Sequence, residues 1–287
     1  MQSYEPDVLV PTWTGLVDDA AIFPPGNAPL HEATAAYSAR RSEWYAGFVG
    51  SFVLKDTDLP LVRGTDADLS VVVTGGAGQV AGPLGLTRKL GLSVVGVEIA
   101  LRDLDDPAGN ARRVVAAVDA ARAEGVLDEQ TPVHVELPQA DPSASWLGAA
   151  DEVAAAELRL KFRTGGTEAE AFPAAGTVAR WIEAALDRET PFKCTAGLHQ
   201  AIRHRDAETG FEHHGFLNLL LATELLFAGG SIDDATDLVD LASPPDLITH
   251  AFNTDLSGTR RWFRSFGSCS VTEPLESLAA TGLLEDT

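Results

Sequence analysis

Short runs rich in β-branched and aromatic residues alternate with amphipathic helical stretches along this chain, and no other feature narrows its fold as much. The runs are FVGSFVL (48–54), LSVVVT (69–74), VVGVEIAL (94–101), PVHVEL (132–137), ELRLKFR (157–163) and PFKCT (191–195). Between them lie helical patterns. The clearest, 107–124, has Asp106 as its cap, Pro107 in the first helical position, Val114, Val115 and Val118 on one side and Gly125 as its stop. A second, over 176–188, places Val178, Trp181, Ile182 and Leu186 on one stripe. Strands that alternate with helices predict a mostly parallel sheet covered by helices. The number of units favours a (β/α)8 TIM-barrel-like fold, and 287 residues suit one such barrel.

Six strands are legible, and two must come from the less regular remainder. LITHAFN (247–253) and WFRSFGSCSV (262–271) are the expected seventh and eighth, the latter leading into a closing helix, TEPLESLAATGLL, capped by Thr272. Residues 1–47 read as an N-terminal extension or lid with a helix from about 30 to 45, and 48–287 as a single barrel domain. Within the extension, LVDDAAIFPPG sets two acids, Asp18 and Asp19, before a Pro-Pro-Gly turn. An open doubly wound sheet is the alternative. Its dinucleotide fingerprint is missing, because TGGAGQVAG (74–82) has glycines in the wrong pattern and no clear helix after it.

Charge restricts the partners. With 42 acidic and 21 basic residues the formal net charge is -21, which opposes binding to nucleic acid or to an anionic membrane. A small-molecule substrate is expected instead, and a homo-oligomer is compatible with this composition. Cys194 and Cys269 are the only cysteines and form no CxxC pair, so neither a disulfide framework nor a thiolate zinc site is indicated. The absence of any Lys or Arg before Arg40 argues against a signal or transit peptide, and GFLNLLLATELLFAGG (215–230) is too short and too interrupted to cross a bilayer. The expected location is the cytoplasm.

In such an acidic chain the cations stand out. There are four lysines, and Lys55, Lys161 and Lys193 all fall at or near predicted strand ends, where barrels carry their reactive groups, while Lys89 lies on a presumed surface helix. The two-residue period puts Arg159, Lys161 and Arg163 on one face, opposite Leu158, Leu160 and Phe162. Lys193 and Thr195 likewise oppose Phe192 and Cys194, His134 shares a face with Glu136, and Glu98 lies near the end of its own strand. Charges turned toward a barrel axis must be paired, so these acids and bases are expected to balance one another. One reading is a structural ion-pair layer. The other is a polar pocket for an anionic or carbonyl-bearing substrate. A lysine among other cations is expected to have a lowered pKa, which would make Lys193 a Schiff-base nucleophile beside Lys161. Arg163 and Thr195, with Gly165, Gly166 and Gly197 in TGG and TAG, would bind the substrate's anion.

FKCTAGLH resembles the Lys-x-Thr-x-Gly segment of class I aldolases of the deoxyribose-phosphate aldolase type, placed on their sixth strand, in which the lysine forms the Schiff base. The likeness covers about eight residues and departs from that family in neighbouring positions. It implies aldolase or related lyase chemistry through Lys193 and a TIM barrel to carry it. LVDDAAIFPPG, LKFRTGG, PFKCTAGLH, HHGFLN and FGSCSVTEPLESL resemble the recurring blocks of an uncharacterised bacterial protein family, which implies no activity. In this reading Glu98, Glu136 and His199 do acid and base work, His214 joins the substrate site, and no cofactor is required.

The histidines support a rival. His199, His204, His213 and His214 fall within sixteen residues and, with Glu98, Glu136, Asp18 or Asp19, would offer ligands for a divalent metal in a lyase or hydrolase, although their spacing matches no standard motif. A ligand-binding barrel without catalysis is the third reading.

Overall fold

The computed structural model describes residues 9–284 and contains a closed eight-stranded parallel barrel. Its strands are β1 (Val17–Asp19), β2 (Val49–Lys55), β3 (Asp68–Val73), β4 (Ser93–Ala100), β5 (Val133–Glu136), β6 (Arg159–Arg163), β7 (Phe192–Thr195) and β10 (Phe263–Ser268). Each pairs with its neighbour in sequence, and β1 closes the ring by pairing with both β2 and β10. A small antiparallel hairpin, β8 (His204–Arg205) with β9 (Glu212–His213), stands apart from the barrel. The fold is the expected α/β barrel, and closure removes the open-sheet alternative.

Two assignments change. The segment expected to be a lid supplies β1, so the barrel begins at Val17 and not at residue 48. Three residues are too few to show a period, and two of these are acids that the sheet accepts only because distant residues satisfy them. LITHAFN is not a strand. It belongs to helix α8 (Pro244–Phe252), which opens on two prolines and buries Leu247 and Ala251, one turn apart. The strand at 192–195 is therefore the seventh and not the sixth.

The clearest helices form where expected. α3 (Pro107–Ala123) starts on Asp106, whose Oδ1 accepts the Gly109 amide at 2.8 Å. α5 (Ala175–Asp187) buries Val178, Trp181 and Ile182. α1 (Leu30–Arg40) lies within the expected N-terminal helix. A helix does follow TGGAGQVAG, namely α2 (Ala81–Leu90), stopped by Gly91 at a φ of 67°. In α9 (Thr272–Ala279) the capping contact comes from Ser270, whose Oγ accepts the Glu273 amide at 3.2 Å, and not from Thr272.

The apolar core lies between strands and helices. Phe162, on the outer face of β6, packs within 5.3–6.2 Å, centroid to centroid, of Trp146, Trp181 and Phe192. The opposite residues of the same strands, Lys161 and Lys193, are also buried, so much of the barrel interior is ionic where branched apolar side chains are usual. Among the described residues no helix is long and apolar enough to cross a membrane.

Candidate functional site

β6 and β7 run in a register that sets Lys161 beside Lys193, while β5 sets Glu136 beside Lys161. From these positions a single chain of alternating charge crosses the barrel. Arg163 Nε donates to Glu136 Oε1 at 2.8 Å, and Lys161 Nζ lies 2.7 Å from Glu136 Oε2 and 2.6 Å from Glu98 Oε2. Lys193 Nζ then donates to Glu98 Oε1 at 2.8 Å and to Asp18 Oδ2 at 2.6 Å. Three cations face three carboxylates. Hydroxyls complete the acceptors: Ser70 donates to Glu98, Ser265 to Asp18 Oδ2, and the amide and hydroxyl of Ser51 to Asp18 Oδ1.

Burial alone would drive these carboxylates toward the neutral acid, but the lysines outweigh it. Glu98 is held well below the usual carboxylate range by Lys161 and Lys193, Glu136 is lowered by Lys161 and Arg163, and Asp18 by Lys193. The expected fall in the pKa of Lys193 does not occur. Burial pulls it down, yet Asp18 and Glu98 pull harder, so it rises above its ordinary value and Lys193 is a firm ammonium. The reversal comes from β1, whose Asp18 lies 175 residues away in sequence.

The chain is graded in access. The side chains of Lys161, Lys193 and Glu98 are buried, Glu136 is 12% exposed and Arg163 is 41% exposed at the carboxyl end of β6. Arg163 is thus the open end. Thr195, one position past Cys194 at the end of β7, lies with its hydroxyl close to Gly267.

Gly165 and Gly197 lie against each other. A Cβ on Gly165 would come within 2.7 Å of the Gly197 Cα, and Gly197 has a φ of +76°, so these glycines join the loops after β6 and β7 at backbone contact distance. Gly166 faces Ala171. His199 lies outside the ion chain: its Nδ1 is 2.7 Å from Glu273 Oε2 and its Nε2 is 3.7 Å from Cys269 Sγ. His214 is buried elsewhere, between the Pro173 carbonyl at 2.7 Å and the Arg203 guanidinium at 3.3 Å. Lys55, exposed at the end of β2, lies 5.6 Å over the ring of Phe23. Asp19 turns away from Asp18 to pair with Arg40. Among the described residues no three His, Cys, Asp or Glu side chains are grouped to hold a metal ion.

The two thiols differ in setting. Cys194 is buried on the outer face of β7 and burial pushes its thiol up, whereas Cys269 is half-buried and within reach of an imidazole. Iodoacetamide is expected to label Cys269 at least about tenfold faster than Cys194, read by peptide mass spectrometry; equal rates would contradict this placement.

His134 was legible as sharing a face with Glu136 but not as a special group. It is 6% exposed, neither ring nitrogen has a hydrogen-bond partner, and burial together with the Lys193 charge lowers its pKa to about 3. Burial likewise lowers His214 to about 4. Both are neutral when folded and take up protons on unfolding, so their stabilisation is complete above pH 6.5 and lost as pH falls. Unfolding by urea is expected to become easier by about 2 kcal/mol per histidine between about pH 6.5 and pH 5, and His134→Gln should remove its share of that slope. His199, whose pKa is raised, acts with the opposite sign and above that window.

The deoxyribose phosphate aldolase from Aeropyrum pernix, described as a tetramer, superposes with a TM-score of 0.53 over 93% of this chain and 91% of its own, at 14% identity. Its fold is shared. A protein described as a putative deoxyribose-phosphate aldolase from Toxoplasma gondii ME49 gives 0.54 over 96% of both chains, also at 14% identity. No family model matches the chain, and no curated protein matches it. The likeness is one of barrel architecture.

Proposed function

We propose that this protein is an aldolase-type lyase that cleaves or forms a carbon–carbon bond in a small carbonyl compound bearing a phosphate or carboxylate, through a Schiff base on Lys161. The observation that carries the reading is the buried lysine pair, locked by carboxylates and ending on a half-open arginine at the carboxyl end of the barrel. Burying the five charges from Glu136 to Asp18 costs several kcal/mol per ion before pairing recovers it, and apolar residues would close a barrel without that cost. The shared architecture of the deoxyribose-phosphate aldolases agrees with this chemistry.

Lys161 suits the nucleophile better than Lys193. Lys193 is held between Glu98 and Asp18, neither of which contacts a group open to the carboxyl end, whereas one partner of Lys161, Glu136, is shared with the accessible Arg163. An arriving anion pairs with the Arg163 guanidinium and draws it from Glu136. Glu136 then has one cation fewer, its pKa rises, and it accepts a proton from Lys161 Nζ. The free amine adds to the substrate carbonyl carbon. Glu136 returns the proton to the departing hydroxyl, water leaves, and the iminium remains. Glu136, again a carboxylate, takes the proton of the β-hydroxyl, and the carbon–carbon electron pair moves into the iminium to give an enamine. Glu98 stays anionic and holds both lysines in place, while the Lys193 ammonium keeps Glu98 charged.

The test is turnover. Small β-hydroxy carbonyl compounds with and without a phosphate or carboxylate are incubated with the protein and followed by proton NMR. Cleavage is expected only for anionic members, with a raised KM in Arg163→Gln. Binding without cleavage of any of them would overturn the proposal.

A further inference from the structure

The opposite end of the barrel has a feature that this chemistry does not use. A cavity of about 430 Å³ opens among the first residues of the strands, within the size range of small-molecule sites. Gly50 and Gly96 have no side chains to fill it, and a Cβ on either would meet Asp18 or Ser70 at 3.0 Å or less. Its inner wall includes Lys193 and Asp18, the far end of the ion chain.

The charge of this mouth is inverted relative to the rest of the molecule. In a chain of net charge -21, Arg159, Arg260 and Arg264 converge on it, and the acids that line it are Asp18 and Asp68. Asp18 is already committed to Lys193, and Asp68 is exposed and accepts from Ser93. Among the described residues none of the three arginines has a carboxylate within salt-bridge distance. Arg260 is anchored by the carbonyls of Thr12, Thr14 and Phe263, so it supplies charge more than free donors. The Arg264 guanidinium donates only to the Arg260 carbonyl, at 3.0 Å, and the Arg159 guanidinium makes no hydrogen bond among the described residues. Beside them His134, 94% buried, leaves both ring nitrogens without a partner. A buried polar group without a partner is costly and uncommon in a folded protein.

We propose that the amino-terminal mouth of the barrel is a binding site for a small oxyanion-bearing molecule, a phosphate ester or a carboxylate. Arg159 and Arg264 grip its anionic group, and His134 hydrogen-bonds a polar group further in. Two guanidinium forks match the oxygens of either anion. This site is separate from Arg163, which stands at the carboxyl end of β6.

Calorimetric titration of the full chain with inorganic phosphate, glycerol phosphate and succinate at low salt tests the assignment. At least one probe is expected to bind in an event that Arg159→Gln or Arg264→Gln each weakens about tenfold or more. Val95→Glu, which adds a negative charge to a half-open residue lining the cavity, should weaken it as much without touching an arginine. Arg163→Gln, which removes any anion binding at the carboxyl end, should leave the affinity of this amino-terminal event within about twofold. Circular dichroism confirms that each variant is folded. Response to phosphate and glycerol phosphate but not succinate assigns a phosphate ester; the reverse assigns a carboxylate. No binding by any probe, binding indifferent to the arginine and Val95 changes, or loss only in Arg163→Gln would each overturn the site.

Discussion

Glu98→Gln is expected to lower the unfolding free energy by about 3–5 kcal/mol, a large part of what a domain usually has. The amide keeps the shape of the side chain and removes the one charge that touches both lysines. Lys161 and Lys193 would then face each other across a neutral group, with only Glu136 and Asp18 to hold them. A buried charge that loses its partner costs far more than the pair contributes net, so the deficit lies in the stranded ammonium groups. The double variant Glu98→Gln with Lys161→Met should therefore be more stable than Glu98→Gln alone, a coupling that a double-mutant cycle in urea measures directly. A loss below about 1 kcal/mol for the single variant would show that water or neighbouring groups carry the charge instead.

Lys161→Met is expected to abolish turnover, by at least about a thousandfold, while costing far less stability than Glu98→Gln. Each carboxylate that loses Lys161 keeps another cation: Glu98 retains Lys193 and Glu136 retains Arg163. Methionine fills a volume like that of the lysine stem. Lys193→Met should behave in the opposite proportion. It leaves Asp18 without its cation, so stability falls more, whereas the nucleophile remains and activity declines without vanishing. The contrast between these two variants separates a covalent role from an electrostatic one, which neither variant does alone.

Where the sequence showed a period, it foretold the structure. The alternation in RLKFR and PFKCT correctly sent Phe162 and Cys194 outward and Lys161 and Lys193 inward, because a strand has only two faces and the helices claim the apolar one. Glu136 is legible for the same reason, and Glu98 from its place near the end of its strand. What could not be read depends on residues distant in sequence. β1 is three residues long and two of them are acids, so nothing local marks Val17–Asp19 as a barrel strand; its pairing with β2 and β10 decides it. The charge state of Lys193 depends on it as well, since the cations nearby in sequence suggest a weakened ammonium and Asp18 with Glu98 reverses that. LITHAFN was misread because β-branched and aromatic residues are weak evidence over seven positions, and the two prolines before it set a helix start. His199 and His214 belong to a cluster of four histidines within sixteen residues, but the chain carries them into separate contacts with Glu273 and Pro173.

The most direct test of the central claim is reductive trapping. The protein is incubated with anionic aldehydes and ketones, reduced with sodium borohydride and mapped by peptide mass spectrometry; with Lys55, Lys89, Lys161 and Lys193 as its only lysines, each site is distinguishable. The expected result is a reduced adduct on Lys161 that is absent from Lys161→Met and weaker for uncharged carbonyls. An adduct confined to Lys193, Lys55 or Lys89, or none on Lys161 with any compound that binds, would contradict the account.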